Sequence, residues 1–261
     1  QTDKQKNTKT DLHDSRAIAR YLEKGLLRSI HVLPLEQQER RALYRCREAK
    51  SRDVARCTNR LRSFMDYFGI QVPPLFADNQ YISSRYLDWL RSLSLSTSQG
   101  KETLHHQIDE LVYHRKQLLE LTKKLRTAVE LHYRDSFAAL LSVPGIGPIT
   151  AMALLTETGD LARFKDPDSY ASYLGLVPGE QSSGDTVYSK SLQPRCNRHL
   201  RPMLIEAAWV AIRRCPVLLA YFKKHARTNN KKAIIKVARK LALIAKAVAI
   251  NKSPYEPRSG F

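Results

Sequence analysis

The sequence predicts a mainly α-helical protein in which a long antiparallel helical arm precedes a basic, glycine-containing helical segment. Two stretches predict the arm: residues 36–68 and 101–133 each carry an apolar stripe at helical spacing and contain no glycine or proline. Most of the ten glycines lie after residue 136, where shorter apolar periods predict short helices. The apolar fraction of 43% is sufficient to build folded cores.

The chain carries a large excess of positive charge. Its 261 residues include 44 Lys and Arg against 25 Asp and Glu, which gives a net charge of +19 and a pI near 9.9. Because phosphate contacts release counterions, this excess favours a nucleic-acid partner. Ribosomal, membrane-surface and merely basic proteins share such an excess, so charge indicates a partner class and no chemistry. The sequence has no run of about 18 uncharged apolar residues, and we expect no membrane partner.

The four cysteines have no metal-binding spacing. Cys46, Cys57, Cys196 and Cys215 form no CxxC pair and no Cys/His cluster of the kind that binds structural zinc. Cys46 and Cys57 would lie about 16 Å apart on one helix, too far for a disulfide. The spacing therefore predicts buried thiols in a reducing cytoplasm and no structural zinc.

A first helix is predicted within residues 8–27. Thr10 is placed as its N-cap, acidic residues follow in the first turn, and apolar residues recur at helical spacing towards Gly25. Residues 30–34, IHVLP, form a short apolar stretch that we expect to be extended, because Pro34 closes it.

The arm is predicted from two helices of roughly 50 Å each. The segment between them, residues 69–100, combines helix-stopping residues with a short helix near residues 81–93. An antiparallel coiled-coil arm, which another subunit could complete, and an ordinary helical bundle both fit this pattern. The stripes comprise Leu43, Val54, Cys57, Leu61, Phe64 and Phe68 on the first helix, interrupted at Lys50, and Leu104, Ile108, Leu111, Leu118, Leu125 and Val129 on the second.

A helix-hairpin-helix motif is predicted within Leu140–Asp160. An apolar helix leads into VPGIGP, residues 143–148, and a second apolar helix follows. Glycines allow the tight turn, and the free amides at the start of the second helix can hold a DNA phosphate. We therefore predict nucleic-acid contacts at Gly145, Gly147 and Thr150; a plain connector between helices is the alternative.

The last predicted helix, residues 231–250, is basic on its outer faces. Its apolar residues, among them Ile234, Val237 and Leu241, are expected to point inward. A solvated face is the default interpretation, but the basic residues just upstream favour a phosphate-binding surface. The lysines predicted to contact nucleic acid are Lys223, Lys224, Lys232, Lys236 and Lys240.

Two adjacent serines, Ser182 and Ser183, lie in a polar, glycine-flanked stretch that we expect to be a loop. A basic helix start follows, and its arginines could stabilise charge during attack of a serine on a phosphodiester. A simple turn is the more ordinary interpretation of such a stretch. The basic stretch supplies the predicted nucleic-acid contacts Arg195, Asn197, Arg198 and Arg201.

Asp11 and Asp14 are three residues apart on the first predicted helix, so both carboxylates project to the same side. A divalent cation between them would relieve their repulsion. Acids are also favoured in any first helical turn, which is the alternative explanation.

These motifs occur in the order of one family. KTDLHDSRAIARYL, residues 9–22, resembles the Lys-Thr-Asp-x-x-Asp-Ala motif of the DEDD insertion-sequence transposases and site-specific invertases, a group that includes RNA-guided bridge recombinases. VPGIG and the stretch LGLVPGEQSSG…NRHLR, residues 174–201, resemble the two motifs of that family's C-terminal domain. Ser15 replaces the usual Ala, and residues 192–196, LQPRC, replace a more usual Thr/Ser-Lys-x-Gly pattern.

The resemblance implies a three-part organisation. Residues 1–35 would be the C-terminal part of an RNase H-like (RuvC-like) α/β domain, and residues 36–135 a coiled-coil arm with its broken loop at 69–100. Residues 136–261 would form a mostly helical transposase domain with a helix-hairpin-helix. The first Asp and the Glu of the family's four-acid metal site would lie upstream, and we expect the true start there too, because the sequence opens with Gln rather than Met.

The resemblance also implies a mechanism and its partners. Ser183, with Ser182 as its rival, would attack DNA and form a phosphoserine link, and Asp11 and Asp14 would bind Mg²⁺. The implied partners are the DNA of the element ends and the target, a guide RNA, and further copies of the chain in a dimer or tetramer, with the acids of one subunit facing the serine of another. The expected location is the cytoplasm of a bacterium or archaeon, at the nucleoid.

Two other functions fit the same motifs. A structure-specific DNA-binding protein would use the hairpin and basic helices without cutting, and a RuvC-type metal nuclease would cut with water and form no covalent intermediate. A tyrosine recombinase acting through Tyr188 is disfavoured, because no matching set of arginines and histidines surrounds that residue.

Overall fold

The fold comes from a computed structural model of the chain. It describes residues 11–27, 29–77, 81–183, 186–227 and 229–257, of which residues 77 and 179–191 are described by their backbone alone. The chain divides into two compact units, Gln1–Pro34 and Leu35–Phe261.

The first unit contains helix α1, Asp11–Glu23, which buries none of its residues. Its apolar side chains, Ile18 and Leu22 among them, are more than half exposed at 56% and 68%. The predicted helix is therefore present, while its apolar stripe has no cover within the described residues. The predicted N-cap, Thr10, lies outside those residues.

The second unit begins with the arm, formed by α2 (Leu35–Tyr67) and α5 (Ser98–Leu141). Contacts pair the two helices in reverse order, Arg60 with Glu110 and Arg47 with Thr122, so they run antiparallel as predicted. Helix α5 continues past its predicted end at Tyr133, where the backbone leaves helical geometry (φ −139°, ψ 28°). The arm thus bends at Tyr133 and enters the C-terminal core without a break.

The arm joins two separate hydrophobic cores. One core lies where α3 (Pro74–Ala77) and α4 (Ser84–Ser92) cover the arm helices, and it contains Leu61, Met65, Ile82, Leu90, Leu104 and Ile108. Between the cores the arm has no buried residue, since α2 buries nothing from residue 45 to 56 and α5 nothing from 112 to 124. Phe68, predicted on the apolar stripe, is 53% exposed instead, because α2 ends one residue before it.

The C-terminal core is a helical assembly around α6 (Pro148–Thr158) and α10 (Asn230–Asn251). Residues 151–158 of α6 are all buried, and α10 turns Ile234, Val237 and Leu241 inward as predicted. Arm residues such as Tyr44 and Leu125 belong to the same core. The remaining helices are a 3-10 turn at Leu161–Arg163, α7 (Pro167–Leu174), α8 (Leu200–Arg214) and α9 (Pro216–Ala226).

A two-stranded antiparallel hairpin lies between α7 and α8. Strand β1 spans Pro178–Ser183 and β2 spans Thr186–Leu192, with a register irregularity between Pro178 and Glu180. The sequence predicts a loop here, and the difference has a local cause: Thr186, Val187 and Tyr188 are residues with high strand propensity.

The prediction of a mainly α-helical protein is confirmed. The hairpin supplies the strands of the described residues, and all other regular elements there are helices. Across the described ranges, no helix is both long enough and apolar enough to cross a bilayer.

Candidate active site and nucleic-acid interface

The two candidate serines lie at the end of strand β1. Ser182 is paired with Val187 and Ser183 with Thr186, the first residue of β2. Ser183 is therefore the last strand residue before the connection between the strands, on a backbone fixed by pairing rather than in a loop. Which of the two serines is the nucleophile stays a prediction, because their side chains lie outside the described set.

The base of this hairpin is closely packed. Gly175 ends α7 in the left-handed conformation (φ 67°), and a β-carbon there would collide with Cys196 and with the guanidinium of Arg201. Arg201 in turn donates to the carbonyl of Gln193, whose side chain accepts from Ser172 Oγ at 3.1 Å. The chain entering β1 and the chain leaving β2 are thereby held against each other.

Asn197 connects the hairpin exit to three neighbouring elements. Its side-chain oxygen Oδ1 accepts from the backbone amides of His199 (3.0 Å) and Leu200 (3.1 Å) at the start of α8. Its amide nitrogen donates to Tyr173 (3.0 Å) and to Glu157 Oε2 (2.8 Å). A direct contact of Asn197 with nucleic acid stays a prediction, whereas its role in holding α8 in place is evident from these bonds.

Glu157 is the buried charge at the centre of this arrangement, with a side-chain exposure of 0%. Arg45 of the arm binds it with two nitrogens, Nε to Oε1 at 2.7 Å and Nη2 to Oε2 at 2.9 Å. Burial by itself would raise the pKa of Glu157, but the hydrogen bonds from Arg45 and Asn197 hold that pKa below its ordinary value. The carboxylate is therefore ionised, and its charge ties the arm to the start of α8.

The arm also binds the end of α6 through its backbone. Gln37 Nε2 donates to the carbonyls of Leu155 (3.1 Å) and Thr156 (2.7 Å), and Arg41 Nη2 donates to the carbonyl of Glu157 at 2.7 Å. The last carbonyls of a helix have no partners within it, so these side chains act as a cap supplied by the arm.

Sequence reasoning missed Glu157 and its arginine partners. One signal was available: Glu157 is the single charged residue of the eleven in α6, PITAMALLTET. A charged residue inside an otherwise buried helix requires a partner of opposite sign. Its partner, Arg45, lies 112 residues earlier in the chain, so no local pattern identifies it.

The two glycines of the predicted helix-hairpin-helix have different environments. Gly145 (φ 87°) lies against α8, and a β-carbon there would collide with the Ala207 carbonyl. Gly147 is the N-cap of α6, has open space where a β-carbon would stand, and provides no side-chain cap. Of the predicted contacts, Gly147 and Thr150 thus lie at an open helix start, while Gly145 serves packing. Ile146, between the two glycines, is buried with 4% exposure.

The predicted basic surface lies on the helix pair α9–α10. The sequence from Ala207 to Tyr255 contains twelve Lys and Arg and no Asp or Glu. Lys236 Nζ lies 3.3 Å from His225 Nδ1, and Lys240 Nζ lies 4.3 Å from the Tyr221 ring centroid. Lys223, Lys224, Lys232 and Lys236 are all exposed.

The cations of α9–α10 influence one another. Desolvation and the ammonium groups of Lys236 and Lys224 lower the pKa of His225. Desolvation and Lys224 likewise lower the pKa of Lys240. Mutual repulsion of this kind is relieved when a polyanion binds.

The predicted arginine contacts also comprise exposed residues and one residue that is bonded within the protein. Arg195 and Arg198 are exposed and available to a ligand. Arg201 is half-buried, and the Gln193 carbonyl occupies its guanidinium.

Asp11 and Asp14 lie in the first turn of α1, and both are exposed. Two carboxylates one turn apart fit the needs of Mg²⁺, which binds through one or two carboxylates and keeps several waters. Metal binding by this pair stays a prediction.

Two family models match separate segments of the chain. The model described as "Transposase IS116/IS110/IS902 family" matches residues 138–223, which contain the hairpin and the Glu157 network. A second model, described as a transposase, matches residues 1–69, which contain Asp11 and Asp14.

Similar full-length proteins carry related names. The transposase for insertion sequence element IS1328 of Yersinia enterocolitica is 27% identical over 80% of this chain and 60% of that protein. A probable family 20 transposase of Pseudomonas aeruginosa is 28% identical over 80% and 61%. The pilin gene-inverting protein of Moraxella lacunata is 31% identical over 68% and 51%. The chain thus spans about half to three fifths of the length of such relatives.

Proposed function

This chain belongs to the IS110/IS116 family of transposases, and on that premise we propose that the protein cuts and exchanges DNA strands through a serine–DNA intermediate. The observation that carries the proposal is the position of Ser183. It ends a strand whose base is fixed by the Gly175–Arg201 contact and by Asn197, and the exposed Arg195 and Arg198 lie on the chain that leaves the hairpin.

In the proposed reaction Ser183 Oγ attacks a DNA phosphorus. A serine–phosphate ester bond forms, the bond from phosphorus to the 3′ oxygen breaks, and the serine proton is transferred through solvent to that oxygen. The released 3′-hydroxyl can then attack the serine ester on another strand, which restores the serine. No net bond energy is lost, so the exchange needs no nucleotide cofactor.

The packed base of the hairpin would hold Ser183 in position for attack. An attacking oxygen must be held close to its target phosphorus, and a misplacement of about 1 Å can cost 100-fold in rate. The contacts of Asn197 with Glu157 and Tyr173 limit movement of the hairpin exit relative to α6 and α7. Arg195 and Arg198, exposed on the same stretch, would stabilise the charge that develops on the phosphate.

Binding of the substrate backbone is assigned to α9–α10 and to the open start of α6. The lysines of α9–α10 would neutralise phosphates of the element ends and target DNA, and the amides after Gly147 would bind one phosphate. A guide RNA would be held by the same phosphate chemistry, and assembly of several copies would bring the sites together. We expect such a protein to act at the bacterial or archaeal nucleoid.

Asp11 and Asp14 are the pair of metal ligands that this chain would contribute. Bound Mg²⁺ would supply Lewis-acid stabilisation of the attacked phosphate. The residues' own part is to offer two ionised carboxylates on one side of α1.

The test is a denaturing gel of the purified protein with labelled element-end DNA, Mg²⁺ and any co-purifying RNA. We expect the native protein and Ser182→Ala to retain label on the protein, and Ser183→Ala to lose it. Asp11→Asn should reduce cleavage, because the metal loses a ligand.

Each other outcome contradicts part of the proposal. Cleavage without a protein-linked product would favour a metal nuclease in which water attacks. Tight, salt-dependent binding without cleavage in any variant would favour a structure-specific DNA-binding protein. Loss of the adduct in Ser182→Ala alone would transfer the nucleophile to Ser182.

A further inference from the structure

Three metal-ligating side chains meet between the arm helices, outside the hairpin, α1 and the α9–α10 surface. Cys57 of α2 and Glu110 and His114 of α5 each offer a ligand atom, and these atoms lie within 4.8 Å of one another. Glu110 and His114 are one helical turn apart and face the same side. Cys57 is 3% exposed, whereas the side chains of Glu110 and His114 are 29% and 16% exposed, so the three atoms meet at a partly covered position between the helices.

The donor set and its spacing suit zinc. Thiolate sulfur, imidazole nitrogen and carboxylate oxygen are the three ligand types that zinc uses in proteins, and a tetrahedral site places them roughly 3.5 Å apart. His114 Nε2 and Glu110 Oε1 are already 3.8 Å apart. Small side-chain rotations would therefore bring the three atoms onto one ion, and a water could take the fourth position.

We propose that Cys57, Glu110 and His114 bind a zinc ion that links the two arm helices. A thiolate and a carboxylate together carry two negative charges, so they would neutralise the two positive charges of the zinc ion. This inference is independent of the proposed recombination chemistry, because none of the three residues belongs to the hairpin or to α1.

Two neighbouring cations, Arg60 and Lys50, already contact the proposed zinc ligands. Arg60 binds Glu110 through Oε2, which leaves Oε1 for the ion. Lys50 Nζ lies 3.4 Å from His114 Nδ1 and 3.1 Å from Asp53 Oδ2. A zinc ion on Nε2 would place the ring proton on Nδ1, so Lys50 would keep Asp53 as its partner and release the ring.

The location gives such a link a structural purpose. Cys57 and Leu111 are the last buried residues of the arm before the stretch in which neither helix buries a side chain. A link between the helices at this point would add a source of register where buried packing ends. A metal bound by both helices would fix that register, since its ligands come from α2 and α5 together.

The test uses the full chain, stripped of metal with a chelator and titrated with Zn²⁺ or Co²⁺ alone. We expect one ion per chain, a higher thermal midpoint with Zn²⁺, and a near-ultraviolet thiolate-to-cobalt absorption band with Co²⁺. Cys57→Ser should abolish the band and weaken zinc binding by more than about tenfold. His114→Gln should weaken binding comparably, and circular dichroism of the metal-free variants reports whether each one folds.

Cys46→Ser is the matched control, because Cys46 is an exposed cysteine of the same helix. It should bind zinc like the native protein, and so should Asp11→Asn. A cobalt complex without the thiolate band, or zinc binding unchanged by both Cys57→Ser and His114→Gln, would overturn the proposal. The cluster would then be a metal-free polar contact in which the Cys57 thiol lies against Glu110.

Discussion

Two charged regions of this molecule use the same residue types in opposite ways. Around Glu157, arginines of the arm meet a carboxylate with 0% side-chain exposure. On α9–α10, exposed lysines and a histidine face one another across a stretch of sequence without any acid. The first region is closed by its own pairing, whereas the second is left with an excess of one sign.

The difference separates structural charges from ligand-directed ones. A buried carboxylate without a partner would be strongly destabilising, so Arg45 and Asn197 are committed to it. Exposed like charges cost little in water but raise the local potential, which attracts a polyanion. Composition alone assigns both groups to the same net charge of +19.

The largest expected effect is on stability, from Glu157→Ala. Removal of the carboxylate leaves Arg45 and Asn197 without their partner, and we expect a loss of about 3 kcal/mol in the free energy of unfolding. The lower end of the range for a broken buried pair applies, because the Arg45 side chain is 46% exposed and can reach water. Urea denaturation measures the loss.

The control for that variant is Glu36→Ala, which removes a carboxylate that is 80% exposed and paired with Arg40. We expect a change within about 0.5 kcal/mol. Equal losses in both variants would contradict the contrast between buried and exposed charge.

A second prediction concerns the two glycines of the α5–α6 turn. Gly145→Ala should lower the free energy of unfolding by about 1–3 kcal/mol, because a β-carbon is strained at φ 87° and collides with α8. Gly147→Ala has open space and should leave stability nearly unchanged. Thermal denaturation of the two variants distinguishes them, and a larger loss in Gly147→Ala would refute the assignment.

A third prediction tests the exposed lysines of α9–α10. Replacing Lys232 and Lys236 by Gln should weaken binding to nonspecific duplex DNA about tenfold and reduce its salt slope by about two, one for each lost phosphate contact. Stability should not fall. Fluorescence anisotropy at several salt concentrations measures both quantities.

The matched variant replaces Lys123 and Lys124, an exposed lysine pair on the arm helix α5. It removes the same charge from a different surface. If the two double variants weakened DNA binding equally, net charge rather than the α9–α10 surface would account for affinity.

The smallest expected effect is the pH dependence of the stability that Glu157 contributes. Because the folded state lowers the pKa of Glu157, its contribution to stability is complete above the unfolded value of about 4.3 and is lost as the pH falls through the folded pKa. The stability difference between the native protein and Glu157→Gln should be constant from pH 6 to 8 and shrink on acidification below about pH 4. A difference that grew on acidification would require a raised pKa instead.

Much of the fold could be predicted because its signals are local. The arm helices and the inward face of α10 follow from apolar spacing, and the turn at residues 143–148 follows from its glycines. The hairpin was missed because strand propensity over seven residues was outweighed by the flanking serines and glycines. Phe68 was misplaced because periodicity does not specify where a helix ends.

The candidate site was predictable only in part. Local motifs predicted Ser182, Ser183, Asp11 and Asp14 as candidates, and the net charge predicted a polyanionic partner. The sequence does not show which predicted contact residues are exposed and which are bonded within the protein. Arg198 is exposed and Arg201 is bonded, and that difference depends on how the neighbouring residues pack.

By itself, then, the sequence determined the helical class, the arm, the order of the motifs and the sign of the charge. The tertiary structure alone decided which charges are closed by pairing and which stay exposed. It also brought Cys57 beside Glu110 and His114, although cysteine spacing predicted no zinc site. The physical reason is the same in both cases: periodicity reports the face of one helix, whereas pairing and coordination require atoms from two helices at distances of a few ångströms.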